Sequence, residues 1–467
     1  MPARQTRRQA LRAAGVALAT GVAGCGGSPD PNERPPDSLG TEWTPPADGW
    51  QFPAGGPRHT AHRPHDVRAE PTVSWRSTPD ERHDLHQFVA ATTDRILGVG
   101  EHDETVALRA ITTDGRRTWR RQFQLRGFWP GGVVDGTLYA SDGVTDLLAV
   151  DTSDGSLQWR RSLYDQTAAS VPDEFLSSGG SPDQFEPVVV PTPETVYVAS
   201  GYGLHGVAPA DGTEQWRLYL GESTEKPVGG QPVGLAPTEY AVLVTDRRRG
   251  VLRVERRRTG DEERVAVERS DTGVEPPTEP VITAHGGAVV GPAAVWSTRR
   301  PPHRPVVAAV AGRNWQFPGY AGSGTSAFAQ PTTDGERVFC CGAHERPGDV
   351  VVSALRAQTG ALEWRTRVTP AGTLPPLGVG ETTRFAQSAV AGDTLLIGYG
   401  SDPGTFDEPA TDGRAGTDGC GRGELFGFAL SDGRLRWRRT LPVGPQRVAV
   451  TATAVYVYGH CGDVVAL

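Results

Sequence analysis

Apolar and polar positions alternate along most of this chain in short runs, each closed by a turn. Glu186-Pro-Val-Val-Val is followed by Thr195-Val-Tyr-Val-Ala, and Gln446-Arg-Val-Ala-Val by Ala454-Val-Tyr-Val-Tyr. A period of two, filled with β-branched and aromatic residues, predicts short strands. A third run then ends in Val or Leu, a turn holds Asp-Gly or Thr-Gly, and a fourth run carries a Trp. This second half of the unit appears as Leu108…Asp114-Gly115…Trp119 and Leu148…Asp154-Gly155…Trp159. It returns as Asp211-Gly212…Trp216, Thr359-Gly360…Trp364 and Asp432-Gly433…Trp437. Two copies are degenerate: Thr259-Gly260 leads to Val265, and Gly312-Arg313-Asn314-Trp315 has a shortened turn.

Four strands repeated about every 45–50 residues predict the blades of an all-β propeller. The Asp-Gly and Thr-Gly steps predict tight hairpins between third and fourth strands. One Trp per fourth strand is expected to fill the gap between neighbouring blades. The sequence stops at a third strand, Gly462-Asp463-Val464-Val465-Ala466-Leu467, while Thr72-Val73-Ser74-Trp75-Arg76 reads as a fourth strand with no third before it. The last blade is therefore expected to take its outer strand from the N-terminal side, which closes the ring and leaves no long free edge. Trp75, Trp119, Trp159, Trp216, Val265, Trp315, Trp364 and Trp437 mark eight blades within residues 71–467.

The unit Ala/Val-x-Asp-x-x-x-Gly-x-x-x-Trp, clearest at Val150-Asp151…Gly155…Trp159, resembles the repeat of pyrroloquinoline-quinone-like β-propellers. The segment Trp50-Gln51-Phe52-Pro53…Gly55-Gly56-Pro57-Arg58-His59-Thr60 is similar to what precedes the first blade in that family. The resemblance implies a fold, not a chemistry, because the fold serves dehydrogenases, membrane-assembly lipoproteins and sensor domains. In the dehydrogenases it implies a quinone over Ca²⁺ held by Glu, Asn and Asp. Asn314 alone offers an Asn within these repeats, and it lies in a degenerate turn on the face opposite the expected active centre. No cofactor is expected, and the quinone-dependent dehydrogenase is the alternative to a binding or scaffold module without catalysis of its own. Gly-x-Ser-x-Gly, His-Glu-x-x-His, phosphate-loop and Cys-x-x-Cys patterns do not occur in the sequence.

Composition agrees with turn-rich β structure: of 467 residues, 59 are Gly and 39 Pro. The formal net charge of −8 argues against nucleic acid as a partner. Residues 1–24 read as an export signal, with Arg7-Arg8 resembling a twin-arginine motif before the apolar run from Ala13 to Ala23. That run ends in Val22-Ala23-Gly24-Cys25, which resembles a lipobox, so Cys25 is the expected lipid attachment site. Residues 25–70, rich in Pro, Gly and Asp, read as a tether whose second half, with Trp43, Trp50 and Phe52, could lie against the body. The expected setting is the extracytoplasmic face of a membrane, with a protein partner.

Four cysteines follow Cys25. Cys420 and Cys461 precede the third strands of adjacent blades, so a Cys420–Cys461 disulfide is expected. A metal site near His102, His344 and His460 and a Cys340–Cys341 bond are its rivals. Finally, the innermost strand of seven blades starts with Gln or Glu: Gln87, Glu186, Gln231, Glu279, Gln330, Gln387 and Gln446, with Gly131 in blade two. This predicts a polar ring at the mouth of the central channel. Either the ring braces the inner strands, or Glu186 and Glu279 hold a cation or a cationic ligand group through water.

Overall fold

The computed structural model describes residues 43, 45–46, 48–52, 62–63, 67, 69–79, 85–102, 105–143, 145–163, 187–200, 203–218, 232–237, 241–246, 250–259, 262–270, 288–291, 294–297, 332–334, 336–343, 349–356, 359–370, 383–385, 388–401 and 423–467. The elements of these residues are all strands. They form eight sheets: six hold four antiparallel strands in up-and-down order, and blade seven has six, because His62–Arg63 adds in parallel to Ala389–Ala391 and Thr383–Phe385 pairs with Thr394–Ser401. The remaining sheet is described by Ala288–Gly291 and Ala294–Ser297. Blade one, for instance, is Leu85–Ala91, Arg95–His102, Thr105–Thr112 and Arg117–Gln124. Blade two is Trp129–Val134, Thr137–Ser141, Asp146–Asp151 and Leu157–Ser162. First strands of successive blades pack on one another from the fifth through the eighth to the first and on to the fourth. This places them innermost, in an arrangement consistent with eight blades.

The ring closes as the strand pattern predicts. Trp75–Ser77 pairs antiparallel with Val464–Ala466, in register Trp75↔Ala466, and completes the last blade from the N-terminal side. The N-terminal segment also packs on the ring. Trp50 exchanges backbone hydrogen bonds with Ala91, the Val133 amide donates to the Gln51 carbonyl, and His62–Arg63 lies parallel to Val390–Ala391. Trp50, Phe52 and Val67 are buried. The folded body therefore begins well before residue 71, because these apolar side chains fill gaps under blades one, two, seven and eight.

The repeated Trp has a defined seat. Trp75 Nε1 donates to the Thr113 carbonyl at 2.9 Å, Trp119 to Thr152 at 2.9 Å, Trp159 to Pro209 at 2.9 Å and Trp364 to Leu430 at 2.8 Å. Each acceptor is in the third-to-fourth-strand turn of the next blade. At Gly155, φ is +74°, and an added Cβ would lie 2.7 Å from the Trp119 ring. The motif glycine is thus required twice, for the left-handed turn and for room under the neighbour's indole. Trp315 lies outside the described residues.

Those turns are wider than the tight hairpins expected from their Asp-Gly and Thr-Gly steps. Five residues separate Asp151 from Leu157, with the Gly155 amide donating to the Asp151 carbonyl and the Ser156 amide to Asp154 Oδ1. A two-residue hairpin does occur, at Asp135-Gly136 between the first two strands of blade two, where both residues have positive φ. A β-bulge also precedes the Trp in blades one, two, three, six and seven. Two residues before the Trp, Leu157 and Leu362 are exposed, whereas Glu214 is bonded to the buried His205.

Candidate functional site at the channel mouth

The second-to-third-strand turns and the starts of the first strands share one face of the ring. In blade one, Gln87 pairs across the ladder with Val99, and its side-chain amide lies 3.5 Å from Glu101 Oε1. The Glu101 carboxyl also accepts a hydrogen bond from the Phe128 backbone amide, at the approach to blade two. Burial pushes this carboxyl up to about 7, against the lowering effect of that amide. No cation pairs with Glu101 among the described residues.

Blade two repeats this geometry with different chemistry. Counting from the bulge in each first strand, Val89 corresponds to Gly131, so Gln87 corresponds to Trp129 and Glu101 to Gly143. Where Gln87 faces Glu101, Trp129 therefore covers Gly143, and an added Cβ at Gly143 would collide with the indole. Trp129 is 42% exposed. Gly131, the exception in the expected ring, is pressed on the next blade: a Cβ there would lie 2.7 Å from the Val189 carbonyl oxygen.

Of the expected ring, Gln87 and Gln446 are described and both are half-buried. Glu186, Gln231, Glu279, Gln330 and Gln387 lie outside the described residues or carry undescribed side chains. Gln87 and Gln446 stand at different levels, for Gln446 is itself the bulged residue of its strand whereas Gln87 precedes its bulge by two. Beside Gln446, the buried Arg447 guanidinium is pushed down to about 10 by desolvation. Cys461 is disulfide-bonded, with a partner beyond the described residues, while Cys340 and Cys341 are free, buried thiols. Cys25 and Cys420 lie outside the described residues, as do His344 and the His102 side chain. Among the described residues, no three of His, Cys, Asp and Glu are grouped to hold a metal.

A second polar cluster lies inside blade three and has no sequence motif. Ser200 Oγ is 2.8 Å from His205 Nε2, and His205 Nδ1 is 2.6 Å from Glu214 Oε1. Arg217 grips Glu214 with two bonds, of 2.9 and 2.6 Å. Burial holds His205 below its ordinary range and outweighs its bond to Glu214. Burial opposes ionisation of Glu214 too, but the bonds from His205 and Arg217 together prevail and lower it. The hydroxyl–imidazole–carboxylate order is that of a nucleophile relay, yet Ser200 and His205 are 2% and 0% exposed. With no open face, the cluster ties three strands together.

A repeat β-propeller with an aromatic and a carboxylate at its channel mouth is the class of protein these features define. A model for the family described as outer membrane protein assembly factor BamB, the PQQ_2 repeat family, matches residues 102–290 and 295–466, and the chain belongs to that family. Among solved structures, BamB from Moraxella catarrhalis is 15% identical, with 85% of this chain and 97% of that one covered at a TM-score of 0.46. A europium-containing methanol dehydrogenase is 9% identical, with 89% and 91% covered at a TM-score of 0.45. No curated protein sequence matches the chain.

A quinone bearing several carboxylates is a poor fit to the described mouth, because Glu101 would face it with like charge. Among the described residues of the mouth, Glu101 and Gln87 offer hard oxygens, whereas Ca²⁺ takes six to eight.

Proposed function

We propose that this protein is a lipid-anchored, extracytoplasmic propeller that binds a protein partner through its channel mouth and has no catalytic activity of its own. The observation that carries this reading is the family match over both halves of the ring, to a family described as an assembly factor. The anchor is Cys25, behind Arg7-Arg8 and the apolar run to Ala23. Cys25→Ala should release the protein from membranes, and unchanged membrane association would overturn the anchor. The partner of the Cys461 disulfide in this reading is Cys420, so non-reducing peptide mapping should recover the two peptides joined.

Crosslinking the tagged full chain in its membrane and purifying it should recover one partner in stoichiometric amount. Titration with pyrroloquinoline quinone and Ca²⁺ should leave the absorbance spectrum a simple sum of its components. Stoichiometric quinone binding with alcohol oxidation would replace this reading with the dehydrogenase.

A further inference from the structure

We propose that Glu101, Gln87 and Trp129 form a subsite at the channel mouth for an alkylammonium or guanidinium group, presented by a lysine or arginine side chain of a protein partner. This rests on the partner-binding reading above and names the chemistry that the mouth selects.

Three independent features converge. The first is charge. Glu101 is half-buried, with Gln87 and the Phe128 amide as its neighbours and no cation paired with it among the described residues. Elsewhere on the ring, acidic residues at blade edges are matched by arginines, as in Arg76–Asp463, Arg160–Asp146 and Arg367–Asp349. Among the described residues, Glu101 breaks that habit at the mouth.

The second feature is the aromatic. The other described blade tryptophans donate to, or pack within, the neighbouring chain, whereas Trp129 is 42% exposed. Among the described residues only Leu157 and Leu362 are large apolar side chains of comparable exposure. Both lie on outer strands at the opposite face.

The third feature is placement. Trp129 occupies the position in blade two that Gln87 occupies in blade one, and Glu101 touches the amide of the residue before Trp129. A carboxylate, a carboxamide oxygen and an aromatic face side by side suit an organic cation. The ring quadrupole attracts it, the carboxylate neutralises it, and Gln87 accepts one of its N–H bonds. Among the described residues a metal ion would find only the oxygens of Glu101 and Gln87 here, and an anion would meet the Glu101 charge.

The test uses the full chain and arginine ethyl ester, with citrulline ethyl ester as its uncharged counterpart, each titrated by calorimetry at pH 8. The arginine ester should bind at least tenfold tighter. Glu101→Gln should abolish the difference, and Trp129→Leu should weaken arginine ester binding several-fold, with both variants melting no lower than about 3 °C below the parent. Equal binding of the two esters, or parent-like binding by Glu101→Gln, overturns the subsite. If the partner crosslinked by the parent is retained in full by both variants, the subsite falls and the partner-binding reading stands. If the arginine ester binds as expected but no partner is recovered, the partner-binding reading falls and the subsite stands.

Discussion

Trp437 donates its indole N–H to the Val67 carbonyl at 3.1 Å, across 370 residues of chain. In every earlier blade with a described bond, that carbonyl comes from the third-to-fourth-strand turn of the next blade. The last blade has no such turn, because its fourth strand arrives from Trp75–Ser77. Val67, just upstream of that strand, supplies the missing acceptor.

Removing residues 70–78 should therefore damage the whole ring and not one edge. The deletion takes away Trp75, the ladder to Val464–Ala466 and the bond to Thr113. Loss of a packed Trp alone costs about 3–5 kcal/mol. Thermal unfolding should shift well below the parent; an unchanged melting temperature would refute the closure. Trp437→Phe should cost about 1 kcal/mol for the lost bond to Val67.

The docking of Trp119 can be separated from backbone strain within blade two. Gly155 and Gly136 have nearly the same φ, +74° and +76°, but an added Cβ at Gly136 meets nothing closer than Thr152 Oγ1 at 4.0 Å. Gly136→Ala should cost about 1–2 kcal/mol from the left-handed backbone alone. Gly155→Ala should cost clearly more, because the Trp119 ring must also move. Equal losses in chemical denaturation would show that the indole has no fixed seat there.

Glu101 should make stability depend on pH in a direction opposite to most carboxylates. Its carboxyl is raised from 4.5 to about 7 by burial, so the folded protein holds this proton more tightly than the unfolded chain. Stability is then lost as pH rises from 4.5 to about 7, and the full penalty applies above that window. Glu101→Gln cannot ionise. Its melting temperature should exceed the parent's at pH 8 and approach it near pH 4.5; a constant difference across the range would contradict the assignment.

Ser200 should be chemically silent despite its bond to His205. A fluorophosphonate probe should leave the folded protein unlabelled, since the hydroxyl is buried. Labelling that disappears in Ser200→Ala would reveal a working nucleophile. Glu214→Ala breaks a buried pair with Arg217 and should cost about 3–5 kcal/mol, whereas Ser200→Ala should cost about 1 kcal/mol.

The strands and their closure were legible because alternation and the Gly…Trp spacing are local and recur. The turn length was not, because Asp-Gly serves equally in a two-residue hairpin, as at Asp135-Gly136, and in the five-residue turn that ends at Gly155. The burial of Trp50 and Phe52 was hinted at by their apolar character and that of Val67 was not, and which blades they cover depends on contacts hundreds of residues away. Glu101 carried no signal, since a lone Glu at the end of a strand is ordinarily solvated. Trp129 was hidden by register: without the bulge at Gly131, nothing in the sequence aligns it with Gln87. The Ser200–His205–Glu214–Arg217 cluster spans three strands, and only their pairing brings it together.

The most direct test of a partner-binding mouth is photocrosslinking in the membrane from a benzophenone amino acid placed at residue 129, with residue 362 on the opposite face as the reference. Position 129 is expected to capture a single protein in high yield, and position 362 is expected not to capture it. Capture of that protein from 362 but not from 129, or no adduct at 129 while the chain remains folded and membrane-bound, would contradict a partner-binding mouth.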